Sequence, residues 1–271
     1  MALTECLEVG KTLQQARGEM GHSIELWHYA AGPARGLEGE SHIDFGPGAL
    51  GLMLREPVGV AGIVTPWNFP LLIGSERVPW AIGAGCTVVA KPSEFTSGST
   101  IRMAELAREA GIPDGVINVV TGYGDPVGQL FAEHPQCDMI NFTGSFRVGQ
   151  IAGGKRLGNS GSSFAPTIFA EAQPEMSITR DEIFGPVLVV QSFDTPEEAV
   201  AMANDTNCGL SASIWNNDLT KAIQTVRKVR AGCTWINGAG SGDPEMGISG
   251  YKQSGLGREL GRHGFLTGIR C

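Results

Sequence analysis

From Gly59 to Phe142 the chain alternates short apolar runs with helical stretches, and that rhythm restricts it to an α/β fold with a parallel sheet. Gly59–Val64 is an unbroken apolar run, the pattern of a strand buried on both faces. A helical stretch near Ser75–Ala84 leads to a strand over Thr87–Ala90 and a helix over Ser97–Gly111. Thr96 or Ser97 can cap that helix, and Gly111-Ile112-Pro113 stops it. A strand over Ile117–Val120, a helix over Pro126–Glu133 and a strand over Met139–Phe142 complete the series. Strands and helices of these lengths imply right-handed crossovers.

The rhythm breaks near residue 150. Residues 152–165 are rich in Gly and Ser and read as a loop. A second α/β segment follows, with a strand over Val187–Phe193 and a helix opened by Thr195-Pro196-Glu197-Glu198, where Thr195 and Glu198 have capping-box spacing. Strand Leu210–Ile214, helix Leu219–Val229 and strand Cys233–Asn237 come next. Upstream, residues 4–31 read as helical and 41–57 as extended. The chain therefore divides into 1–150 and 151–271, with no internal repeat.

With 271 residues, 42% of them hydrophobic, there is ample material for buried cores. The net charge of −8 argues against nucleic acid or an anionic membrane surface as the main partner. The apolar stretch from Val58 to Gly74 carries Pro66, Asn68 and Pro70, so it cannot span lipid. No signal peptide is visible; the first residues read as a soluble helix, and the expected location is the cytoplasm. Six cysteines without CxxC spacing and five dispersed histidines read as reduced thiols and solvated or satisfied imidazoles, with neither disulfide framework nor metal site.

Thr65-Pro66-Trp67-Asn68-Phe69-Pro70, Lys91-Pro92-Ser93-Glu94 and Glu182-Ile183-Phe184-Gly185-Pro186 would each pass as an ordinary turn. In this order they resemble the NAD(P)-dependent aldehyde dehydrogenase superfamily. Phe142-Thr143-Gly144-Ser145, Gly250-Tyr251-Lys252-Gln253-Ser254-Gly255 and Gly257-Arg258-Glu259-Leu260-Gly261 extend the resemblance over nearly the whole chain. It implies a truncated aldehyde dehydrogenase-like fold: a partial Rossmann-type NAD-binding domain with an N-terminal helical segment within 1–150, and a partial catalytic domain with a C-terminal oligomerisation segment within 151–271.

The resemblance also implies roles. Lys91 and Glu94 would hydrogen-bond the adenine ribose hydroxyls, and the Glu94 carboxylate would repel a 2′-phosphate, favouring NAD over NADP. Thr65, Pro66, Trp67 and Ser93 belong to the same cofactor-contacting motifs. Gly122, Gly124 and Gly128 would let a helix N-terminus approach the pyrophosphate, with Ser145 donating to it. Glu182 and Phe184 match residues that hold the nicotinamide ribose and ring, and Asn68 the side-chain donor of the oxyanion hole.

Catalysis in the family needs a cysteine nucleophile and a glutamate base. Both lie between the segments matched here by Phe142–Gly149 and Ile151–Arg156, which in this chain abut. A block of about 100 residues is missing, a domain's worth. No remaining cysteine has a local environment that would lower its pKa. The deletion is expected to expose apolar faces and a sheet edge, for which a partner subunit is the natural cover. Three readings follow. The first is a non-catalytic structural or regulatory subunit, a homo-oligomer or a hetero-oligomer with a full-length paralogue, with weak or absent NAD binding. The second is an NAD-dependent enzyme borrowing a nucleophile or using an unorthodox cysteine, and the third a splice product, fragment or gene remnant.

Overall fold

The computed structural model describes residues 1–42, 51–143, 167–170, 172–240, 243–267 and 269–270. They belong to two compact units. The first comprises 1–144 with 242–247 and 258–271, the second 145–241 with 248–257. The loop read over 152–165 lies outside the described residues.

The first unit opens with two helices where the sequence reads as one. Helix α1 (Ala2–Val9) ends at Gly10, whose φ of 85° is left-handed and whose N–H returns to the Cys6 carbonyl. Helix α2 (Leu13–Ala31) restarts at Thr12, whose hydroxyl accepts from the Gln15 amide at 3.2 Å. The extended stretch becomes three short strands, β1 (Glu40–His42), β2 (Gly51–Met53) and β3 (Glu56–Pro57), with β1 antiparallel to β2. Strand β4 (Val60–Val64) enters the main sheet, followed by helices α3 (Pro70–Ser75) and α4 (Val78–Gly83). The single helix read near 75–84 is thus split. Pro79 lacks an N–H and its ring would clash with the carbonyl of Ser75, so one helix cannot run through.

Strand β5 (Thr87–Lys91), helix α5 (Gly98–Glu109) and strand β6 (Ile117–Val119) follow as the sequence predicts. The helix read over 126–133 is shorter: a π-type turn over Gly124–Gly128 precedes α6 (Gln129–Glu133), because Asp125 has non-helical dihedrals. Strand β7 (Met139–Phe142) closes the series. The four strands form a parallel sheet in the order β6-β5-β4-β7. Ala61, Ile63, Val88 and Ala90 from the sheet pack with Leu71, Val78, Ala81 and Met103 from the helices.

In the second unit, strand β8 (Thr167–Ala170) is parallel to β9 (Val187–Val190), with helix α7 (Ser177–Arg180) between them in sequence. Helix α8 (Pro196–Asn204) is capped by Thr195, whose hydroxyl accepts from the Glu198 amide at 3.2 Å. The Glu198 carboxylate accepts from the Asp194 amide at 2.8 Å, one residue before the cap. Strand β10 (Ser211–Ile214), helix α9 (Leu219–Val226) and strand β11 (Cys233–Ile236) form a second parallel pair.

The chain then re-enters the first unit through helix α10 (Gly261–Thr267) and strand β12 (Ile269–Arg270), which is antiparallel to β3. Phe265 lies against Trp80 with ring centroids 6.0 Å apart, and the Trp80 indole donates to the Gly261 carbonyl at 3.2 Å. No described helix is long and apolar enough to cross a membrane.

Candidate active site and cofactor site

The order β6-β5-β4-β7 means that the chain steps outward from β4 to β5 to β6, then returns to place β7 on the other side of β4. The carboxyl ends of β4 and β7 therefore flank a switch point, the place where open parallel sheets bind ligands. Thr65, Pro66, Trp67 and Asn68 leave β4 there, and Lys91 ends β5. The Thr65 amide donates to the Lys91 carbonyl at 3.1 Å, tying the two strand ends together.

Lys91 is buried, with its ammonium 3.2 Å from the Pro92 carbonyl and 4.0 Å from the Glu94 carboxylate. An ammonium has three donors, so capacity remains for a hydroxyl at the exposed side, where Glu94 stands in solvent. Ser93 orders this turn by accepting from the Phe95 amide at 3.3 Å. A Cβ on Gly128 would lie 3.9 Å from the Lys91 Cε, so the glycine turn that starts at Gly124 approaches the same lysine. The Thr65 hydroxyl is buried without a hydrogen-bond partner. A buried amphoteric hydroxyl, a lysine with spare donors, an exposed carboxylate and a glycine turn together fit the polyol and phosphate groups of a dinucleotide.

A second cluster lies in the same unit, and the sequence reading did not single it out. Arg77 is buried between α3 and α4. Its guanidinium donates to the Glu259 carboxylate at 3.0 and 2.6 Å, to the Thr143 hydroxyl, and to the Val64 carbonyl at 3.4 Å. Val64 ends β4 and Thr143 directly follows β7, so one side chain spans the switch point. Glu76 lies beside it around a cavity of about 20 Å³, room for about one water. Burial, with the Glu259 charge adding to it, pushes the Glu76 carboxyl up to about 7, and Arg77 works in the opposite direction. The motif at 257–261 marked Glu259, but its partner lies 182 residues away and no local pattern joins them.

Glu182 and Phe184 belong to the second unit. Both are exposed, and Phe184 holds a left-handed φ of 53°. Ser145 lies outside the described residues. Among the described residues no group of His, Cys, Asp and Glu could hold a metal ion, and Cys6, Cys86, Cys137, Cys208 and Cys233 are thiols outside any disulfide.

A parallel sheet with these groups at its switch point has the architecture of the dinucleotide-binding α/β folds. The profile of the aldehyde dehydrogenase family matches residues 1–152 and 150–270, and the chain belongs to that family. An aldehyde dehydrogenase of Agaricus bisporus is 30% identical over 97% of this chain and 76% of its own length. An Escherichia coli NADP/NAD-dependent aldehyde dehydrogenase is equally similar, 30% identical over the same shares. Among solved structures, an NAD-dependent aldehyde dehydrogenase of Sinorhizobium meliloti is 44% identical with a TM-score of 0.93, over 99% of this chain and 76% of that one. The NAD+ complex of the Bacillus cereus enzyme superposes with a TM-score of 0.93 at 26% identity, over 99% of this chain and 78% of that one. The chain is a shortened member. The Agaricus alignment extends over 380 positions, and this chain has 271 residues, so at least 109 positions (380 less 271) have no counterpart here.

Proposed function

We propose that the chain is a non-catalytic member of the aldehyde dehydrogenase family, a structural or regulatory subunit that assembles with itself or with a full-length paralogue. What carries this reading is the interruption of the family match at 150–152, where the resemblance locates the missing nucleophile and base. Asn68, the counterpart of an oxyanion-hole donor, then has no thiohemiacetal to stabilise. Thiols outside any disulfide fit a reducing compartment, for which we propose the cytoplasm. The test is NADH formation by the purified chain with short aliphatic and aromatic aldehydes, paired with native mass measurement of the protein from its source. No turnover and an assembled mass are expected. Turnover abolished by substitution of one cysteine would instead favour an enzyme with an unorthodox nucleophile.

The cofactor reading is NAD, bound weakly. Lys91, Glu94 and the glycine turn would hold the adenosine and pyrophosphate end. The nicotinamide end would depend on Glu182 and Phe184, which the second unit carries. A ligand gripped at one end forgoes the remaining contacts yet still gives up its translational and rotational freedom. Each tenfold loss corresponds to only about 1.4 kcal/mol, so a millimolar rather than micromolar constant is expected. NAD should still be preferred to NADP, and Glu94→Ala should narrow that preference. Calorimetric titration checks both; a micromolar NAD constant would overturn the weak-binding expectation.

A further inference from the structure

The second unit has almost no core. Among its described residues the only buried apolar side chains are Ala172 and Ala222, whereas the first unit buries Leu26, Ile63, Val88 and Phe265 among others. Its strands are nevertheless written for burial. Thr167-Ile168-Phe169-Ala170 and Val187-Leu188-Val189-Val190 form a parallel pair, a kind of sheet that occurs with both faces covered. Here Ile168, Leu188 and Val190 are 68%, 57% and 48% exposed, and Phe193 just beyond β9 is exposed too. Among the described residues β8 and β9 pair with no third strand.

The uncovered pair lies just downstream of the interruption in the family match. Relatives carry at least 109 positions that have no counterpart in this chain, and the family match divides into two segments at this point. A second copy of this chain cannot supply the missing block, since a copy lacks it too and brings the same bare strands. A full-length subunit can associate elsewhere, but its block is already engaged by its own counterparts of β8 and β9. What the exposed pair requires is a polypeptide that has the block and lacks those strands.

We infer that the β8–β9 face of the second unit binds a separate polypeptide carrying the missing block of the aldehyde dehydrogenase fold, which adds strands to this pair and covers its apolar side chains. The inference rests on the proposal that the chain is a subunit lacking the block that carries the family's nucleophile and base, and it names a polypeptide with that block as a further partner.

The probe is the segment of the Sinorhizobium meliloti enzyme that aligns at the interruption, co-expressed with the full chain. A one-to-one complex is expected by light scattering, with the amides of β8 and β9 exchanging hydrogen at least a hundredfold more slowly than in the chain alone. Leu188→Asp should abolish the complex and leave the thermal transition of the first unit unchanged. A soluble segment that leaves these amides unprotected overturns the inference. Exchange in the chain alone gives an answer that does not depend on the segment. Fast exchange at β8 and β9 supports the inference, and slow exchange, in a monomer or a dimer, overturns it because no second polypeptide is then needed. NADH formation by the chain alone tests the non-catalytic reading separately, so either can fail without the other.

Discussion

Raising the pH from 4.5 to about 7 should cost the first unit up to about 3 kcal/mol of stability through Glu76 alone. Below its ordinary value of 4.5 the carboxyl is protonated in both the folded and unfolded chain and contributes no pH dependence. Between 4.5 and about 7 the unfolded chain releases the proton while the folded chain keeps it, because burial and the nearby Glu259 charge disfavour the anion. The folded state then holds more protons than the unfolded one, so stability falls as pH rises and levels off once both forms are ionised. Glu76→Gln keeps the shape and removes the charge. Other groups titrate in the same window, so the decisive quantity is the difference between the two proteins. In urea unfolding, the variant should match the parent near pH 4 and exceed it increasingly up to pH 8. A difference that stays flat with pH would show that Glu76 ionises normally.

The main sheet was legible because burial on both faces leaves an unmistakable mark. Gly59–Val64 and Thr87–Ala90 have no polar residue at alternating positions, except at the end that opens the strand, and both became central strands. The motif placed Lys91, Ser93 and Glu94 at the carboxyl end of the second of these strands, and the structure has Lys91 ending β5 with Ser93 and Glu94 in the turn that follows. The N-terminal helix break was written in Gly10 and Thr12, a stop and a cap two residues apart, which the apolar stripe on either side concealed. Strand β8 was missed because four residues after a Gly/Ser-rich stretch give too short a run to show a period. Helix α10 was missed for a different reason. Gly261-Arg262-His263-Gly264-Phe265 has poor intrinsic helix propensity, and its stability comes from Phe265 packing on Trp80. The Arg77 cluster was invisible because its members come from β4, the residue after β7, the α3–α4 turn and residue 259, which only the folded chain brings together.

That cluster leads to the second large expectation: Arg77→Met should destabilise the first unit by about 3 kcal/mol, within the usual 3–5 kcal/mol range for breaking a buried ion pair from one side. The guanidinium side chain is 4% exposed, and its removal leaves the Glu259 carboxylate, the Thr143 hydroxyl and the Val64 carbonyl without their donor. Glu259 is 26% exposed, so solvent screens part of the loss and the lower end of the range applies. Arg77→Lys retains the charge but not the planar fork, and one ammonium cannot reach the ends of β4 and β7 together with Glu259, so an intermediate cost is expected. In Arg77→Met/Glu259→Gln the orphaned charge disappears as well, and the double variant should be more stable than Arg77→Met. The two groups form one unit, so their effects should not add. Glu76 supplies an independent readout, because Arg77 is the influence that lowers its pKa. Without Arg77 the fall in stability with pH should extend above 7, and this shift would be absent if the arginine merely filled space. Urea unfolding of the parent, Arg77→Met, Arg77→Lys, Glu259→Gln and the double variant from pH 5 to pH 9 measures both effects, and a double variant whose cost equals the sum of Arg77→Met and Glu259→Gln would rule out the coupling.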